Sequence, residues 1–225
     1  VTDRARWAET TLEYSFNDSS LLTRALTHRS ASKQNNERLE FLGDAFLNYA
    51  IGKDLYLRRP EDAEGDLSRA RASLVNKSVL AQIGRELKID TQLVLGHGEL
   101  RAGGAHRGAA LADAVEALIG AVLLDGGHEA AAAFIERLFA DHLERIPEGS
   151  ELKDPKTKLQ EWLQGRGFAL PRYAVDSVVG KDHQKSFTVV CSVEEKQLQT
   201  KGLGASRRRA EQDAAAAMLA VLEGD

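Results

Sequence analysis

The chain has 225 residues, of which 43% are hydrophobic and 28% charged, and its formal net charge is −4; this suits a soluble globular protein of two ordinary domains and excludes a disordered or strongly basic chain. It has no run of eighteen apolar residues, and residues 1–7 lack the apolar core of a signal peptide, so no membrane span and no secretion are expected. Its one cysteine, Cys191, allows no intrachain disulfide and suits a reducing cytoplasm; within Phe187-Thr-Val-Val-Cys-Ser-Val193 it reads as a packed strand residue.

Residues 1–150 read as helical throughout, with breaks at Ser30–Asn36, Arg59–Gly65, Gly96–Gly108 and Asp125–His128. This half carries a balance of −5, and residues 151–225 a balance of +1. Global charge therefore says little about nucleic acid, and any such reading rests on local clusters.

The richest segment is Asn36-Glu-Arg-Leu-Glu-Phe-Leu-Gly-Asp44. At about 100° per residue, Glu37, Glu40 and Asp44 fall within roughly a sixth of a helical turn. Leu39, Leu42, Phe46 and Tyr49 fall on the opposite side, as a core face. Asn35 or Asn36 is the expected N-cap. Like charges at this spacing destabilise a helix by a few tenths of a kcal/mol per pair, about 0.2–0.5. The arc is either a solvated face or a site for a hard divalent cation such as Mg²⁺. Phe41 lies beside the arc and off the core face, so it is covered either by a partner or by its own loop.

Gly96–Gly108 is a glycine-rich stretch. It lacks the Lys-Ser/Thr of a nucleotide P-loop, so no nucleotide cofactor is expected; a mobile loop is preferred. Next, Leu111-Ala-Asp-Ala-Val-Glu-Ala-Leu-Ile-Gly-Ala-Val-Leu-Leu124 is almost wholly apolar and reads as a buried helix. Its only charges, Asp113 and Glu116, share a face, opposite Leu111, Val115, Leu118 and Val122. Carboxylates there are costly unless paired or metal-bound. Arg38, Arg107 or a backbone donor is one way to satisfy them. A metal shared with the first acidic helix is the other. Gly126-Gly127 reads as a stop.

A polar linker covers residues 149–153. A helix follows over residues 154–164, with Asp154 as N-cap and Pro155 at the first helical position. Tyr173–Val179, Lys185–Val193 and Gln197–Gly202 read as strands. Ser206–Glu223 reads as an alanine-rich helix capped by Ser206. Thr157, Gln160 and Glu161 share one helix face, either an ordinary polar face or one suited to RNA 2′-hydroxyls. Arg207, Arg208 and Arg209 open the last helix, where cations are unfavourable for the helix but attract phosphate.

Taken with Ala25-Leu-Thr-His-Arg-Ser30 and Glu64-Gly-Asp-Leu-Ser68, the two acidic segments resemble the ribonuclease III family in motif, order and spacing. The resemblance continues through a double-stranded-RNA-binding domain and covers nearly the whole chain. It implies an α+β protein: an all-α endonuclease domain at 1–148, then a small α-β-β-β-α domain at 154–225. It implies a Mg²⁺-dependent endoribonuclease, with Mn²⁺ able to substitute, that cuts double-stranded RNA to 5′-phosphate and 3′-hydroxyl ends with short 3′ overhangs. Ribosomal RNA precursors and other structured transcripts are the implied substrates, in the cytoplasm. By residue, it implies metal ligation by Glu40, Asp44, Asp113 and Glu116, with Asp44 and Glu116 catalytic, and further cleft acids at Glu37 and Glu64. It places His183, in the loop between the first two strands, in a second minor groove. It also implies a homodimer with Phe41 at the interface. The chain departs from the family pattern at Glu211, where a basic residue is usual, and at Ala109-Ala110, where polar residues are frequent.

Overall fold

The computed structural model of the chain describes residues 3–96, 98, 105–146, 153–181 and 185–224, with the side chains of 105 and 106 excepted. The chain divides into two compact units, Val1–Gly149 and Ser150–Asp225.

The first unit is helical. Helix α1 (Asp3–Trp7) runs into a π-turn at Ala8–Leu12, followed by α2 (Ser19–Ala25), α3 (Glu37–Arg58), α4 (Glu64–Leu74), α5 (Lys77–Glu86), a 3₁₀ turn at Ile89–Thr91 and α6 (Ala105–Glu144). Side-chain caps start two of these helices. Asp18 accepts from the Ser20 N–H, and Asn76 accepts from the Ser78 and Val79 N–H groups, which satisfies donors that the first helical turn leaves free. Asn35 does comparable work for α3, accepting from the Glu37 N–H at 3.1 Å, whereas Asn36 is buried and makes no cap hydrogen bond. Gly127, at φ 78°, interrupts α6 and turns it into two arms, at the expected stop. Just before it, Asp125 accepts from Tyr14 Oη and from the Asn17 and Asp18 N–H groups. This ties the segment between α1 and α2 to the break in α6.

Helix α3 packs on α6 along a line that differs from the expected face. The buried residues are Leu39, Gly43, Leu47, Ile51 and Leu55, joined by Phe46. Leu42 is only half-buried and Tyr49 is 54% exposed, which corrects their placement on the core face. The reason is ridge packing: the i+4 row makes the contact, and it rotates by about 40° per step at 3.6 residues per turn. The apolar arm of α6 opposite is buried almost all round, from Ala110 to Val122.

The second unit is an α-β-β-β-α layer. Helix α7 (Pro155–Gln164) precedes strands β1 (Arg172–Val179), β2 (Ser186–Val193) and β3 (Leu198–Gly204), and α8 (Arg207–Gly224) closes it. The sheet is antiparallel in the order β1-β2-β3, with an irregularity between Val175 and Ser177. Asp154 caps α7 by accepting from the Thr157 N–H at 3.1 Å, and Ser206 Oγ accepts from the Arg209 N–H at 3.3 Å. Leu159, Leu163, Cys191, Val193, Ala214 and Met218 form the core between helices and sheet. Burial pushes the Cys191 thiol up, against a smaller opposing contribution from Tyr173, which suits a packing residue and not a nucleophile.

Candidate active site

The α3–α6 crossing sets the site. A Cβ on Gly43 would stand 1.7 Å from the Glu116 carbonyl oxygen, and one on Gly120 would stand 2.2 Å from that of Leu39. The two backbones therefore touch, and the acids one turn away on each helix are brought face to face. Glu40, Asp113 and Glu116 each offer a carboxylate oxygen within 4.8 Å of the others.

Glu116 is 8% exposed. Among the described residues it has no hydrogen bond or salt bridge. Burial, then the charges of Asp44, Glu40 and Asp113, push its carboxyl up to about 7, while Lys77 pulls the other way. Burial and Asp113 also raise Glu40. Asp113 has a cation, for Lys77 Nζ lies 3.3 Å from its Oδ1. Neither Arg38 nor Arg107, the candidates from sequence, pairs with the acids among the described residues. Lys77 is the residue that sequence reasoning missed. It follows the capping Asn76 at the start of α5, and nothing local connects it with a residue 36 positions on.

The remaining predicted acids fall outside this group of three. Asp44 is exposed, and its Oδ1 accepts from Asn48 Nδ2 at 2.9 Å, although its charge reaches Glu116. Glu37 pairs with Arg29 at 3.4 Å. Glu64 accepts from Ser68 Oγ at 2.7 Å. Phe41 is 78% exposed.

The donor set suits a hard divalent cation. Three carboxylates offer only oxygen ligands, which hard divalent cations prefer. A 2+ charge would offset the repulsion that raises Glu116 and Glu40.

In the second unit, Thr157, Gln160, Arg207 and Arg208 line one open cavity together with Lys156 and Glu211. Glu161 lies outside this lining and pairs with Lys153 at 2.7 Å. Arg209 is exposed but also lies outside the lining, its Cβ against Gly204. His183, and most of the Gly96–Gly108 stretch, lie outside the described residues. Glu211 is held low by Lys156, at 2.6 Å, and by Arg207, at 2.9 Å.

Comparison with known proteins matches both units. Residues 18–143 fit the family described as Ribonuclease-III-like, and residues 155–222 fit the double-stranded RNA binding motif. Ribonuclease 3 of Alkalilimnicola ehrlichii is 51% identical over 212 residues, covering 94% of this chain and 93% of its own. Two solved structures of the nuclease domain of ribonuclease III from Campylobacter jejuni superpose on the first unit. One has a TM-score of 0.60 at 41% identity, covering 65% of this chain and 100% of its own. The other, described by flexibility in its region involved in dimer formation, has a TM-score of 0.59 at 42% identity, covering 61% and 97%.

A helical nuclease unit bearing a carboxylate cluster, joined to a duplex-RNA-binding unit, defines an endoribonuclease of double-stranded RNA. The chain belongs to the ribonuclease III family.

Proposed function

We propose that this endoribonuclease depends on Mg²⁺, with Mn²⁺ able to substitute, held by Glu40, Asp44, Asp113 and Glu116. The observation that carries this reading is the convergence of Glu40, Asp113 and Glu116 within 4.8 Å on two touching helices, with no cation paired to Glu116 among the described residues. Asp44 joins by releasing Asn48. Its position one helical turn from Glu40 supports that role, and its charge already bears on Glu116. When bound, the cation would supply a more acidic water and a counter-charge for the phosphate and the leaving oxygen.

The chain's own residues do the rest. Glu116 and Asp113 fix the site from a buried helix, which holds their carboxylates in place. Lys77 Nζ brings positive charge beside Asp113 and is placed to attract the scissile phosphate. Water oxygen joins phosphorus, the bond from phosphorus to the 3′ oxygen breaks, and that oxygen gains a proton. The products carry 5′-phosphate and 3′-hydroxyl ends. Thr157, Gln160, Arg207 and Arg208 hold the duplex through 2′-hydroxyls and phosphates, with Glu161, His183 and Arg209 as further contacts. Glu37 and Glu64 border the cleft.

The enzyme acts as a homodimer, each subunit cutting one strand, so that the offset of the two centres leaves short 3′ overhangs. Supporting this are the exposed Phe41 beside the acidic cluster and the dimer-forming region named for the Campylobacter jejuni nuclease domain. Processing of ribosomal RNA precursors and other structured transcripts in the cytoplasm fits this activity. Incubating a long RNA duplex with the protein, with and without Mg²⁺, and analysing the ends tests the proposal. Equal cleavage in chelator would end it.

A further inference from the structure

The first unit carries a second polar site, lined in part by Glu37. A cavity of about 750 Å³ lies between α2, the loop 28–35 and the first turn of α3. Asn36 N–H donates to the Thr27 carbonyl at 2.9 Å, which closes the loop and folds Lys33 and Gln34 over α2. Within the loop, Ser30 Oγ bonds the ring of the buried His28 at 2.8 Å. The cavity is thus built by a hydrogen-bonded loop.

Its lining contains three cations, Arg24, Lys33 and Arg38. None of them has a carboxylate partner among the described residues. The one acid in the lining, Glu37, is already paired with Arg29. Hydroxyls of Ser20 and Thr23 and the amide of Gln34 complete a wall of hydrogen-bonding groups. Three cations without a carboxylate partner among the described residues, together with neutral polar groups in one recess, suit anionic oxygens. The surrounding unit has a balance of −5, so its field does not favour a polyanion, and local positive charge has to hold one there.

Glu37, which lines the cavity, stands three positions before Glu40 on the same arc of α3, whereas Arg38 lies on the other side of that helix. The edge of the cavity at Glu37 is therefore within about one helical turn, about 5.4 Å along the axis, of the carboxylate cluster. Resting on the function proposed above, we infer that this recess binds the phosphodiester backbone of the RNA strand at phosphates flanking the cleaved bond. It is a contact of the nuclease unit itself, separate from those of Thr157, Gln160, Arg207 and Arg208 in the second unit.

The test uses the full chain and a duplex of about 30 base pairs with one cleavage site. The variant Arg24→Gln/Lys33→Gln/Arg38→Gln removes the charges and keeps hydrogen-bonding groups. The log–log salt slope of duplex binding, measured without divalent metal, should fall in magnitude by about 0.9 for each phosphate that the variant no longer neutralises. A second measurement locates the contact: a neutral methylphosphonate beside the cleaved bond should slow wild-type cleavage at least several-fold and leave the variant's rate unaltered. Arg24→Lys/Arg38→Lys keeps the charge, so it should retain the wild-type slope; a reduced slope there would assign the effect to packing and overturn the inference. An unchanged slope in the Gln variant, or equal methylphosphonate sensitivity in both proteins, would also overturn it. Free inorganic phosphate that competes with wild-type and variant alike would show that the recess holds no anion. If the wild-type protein fails to cleave the duplex in Mg²⁺, the function proposed above is what fails.

Discussion

Gly43 on α3 and Gly120 on α6 face each other so closely that the Gly120 nitrogen lies 2.9 Å from where a Cβ on Gly43 would stand. This contact sets the separation of the two helices and hence the separation of their acids. Gly43→Ala meets main chain, the Glu116 carbonyl, so no rotamer change can relieve it. The helices must part, at a cost of about 1–3 kcal/mol or more. We expect a lowered Tm, and weaker metal binding in whatever protein remains folded. Thermal melts with and without Mg²⁺ measure both; a variant as stable and as responsive to Mg²⁺ as the wild type would refute the close crossing.

Glu116→Gln should nearly abolish cleavage and leave duplex binding intact, because the amide keeps the shape but loses the charged ligand. In the metal-free protein it also removes a buried, repelled charge, so Tm should stay level or rise. Single-turnover cleavage and a duplex titration check this. Normal turnover in saturating Mg²⁺ would remove Glu116 from the catalytic set.

Metal binding should depend on pH through the same residue. Metal-free Glu116 ionises at about 7, against an ordinary 4.5, so the folded state holds its proton more tightly than the unfolded chain does. Its contribution to metal-free stability therefore falls as pH rises from about 4.5 to about 7. Below pH 7 a proton competes with the cation, and affinity should drop by up to about tenfold per pH unit for one displaced proton. Calorimetric Mg²⁺ titrations at pH 6 and 8 test this; a pH-independent affinity contradicts it.

Arg207→Ala and Arg208→Ala should each reduce the salt slope of duplex binding by about 0.9. Arg209→Ala should do less, since Arg209 lies outside the cavity lining. Glu211→Gln should act the other way. It frees Lys156 and Arg207 from their carboxylate partner, so duplex binding should tighten and its salt dependence steepen. Weaker binding by a folded Glu211→Gln protein would mean that Glu211 orients the cations and does not hold them back.

Phe41→Ala should raise the dimer dissociation constant by a free energy of about 2 kcal/mol or more, the scale of an aromatic anchor. Sedimentation at falling protein concentration measures the shift. A wild-type protein that stays monomeric yet leaves staggered double cuts would dismiss the dimer.

Features legible in the sequence were those governed by spacing along one segment. The 3.6-residue period fixes Glu37, Glu40 and Asp44 on one arc, and Asp113 and Glu116 on another, without reference to anything distant. Asp154, Ser206 and Gly127 act where they stand, because caps and helix breaks are local hydrogen-bond and backbone matters. The alternation that marks β1, β2 and β3 is local in the same way, and the observed strands begin and end within two residues of those expected.

Tertiary structure decided which of those residues meet. The sequence placed Tyr49 in the core, whereas the contact follows the i+4 row through Gly43 and Leu47, a choice made by the neighbouring helix. It offered Arg38 and Arg107 as partners for the buried acids, and Lys77 took Asp113 from another helix altogether. Glu40 joined Asp113 and Glu116, while Asp44, one turn along the same arc, bonded Asn48. No helical period contains these outcomes, because they depend on the distance and angle at which α3 and α6 cross. Two glycines set that distance, by letting backbone touch backbone.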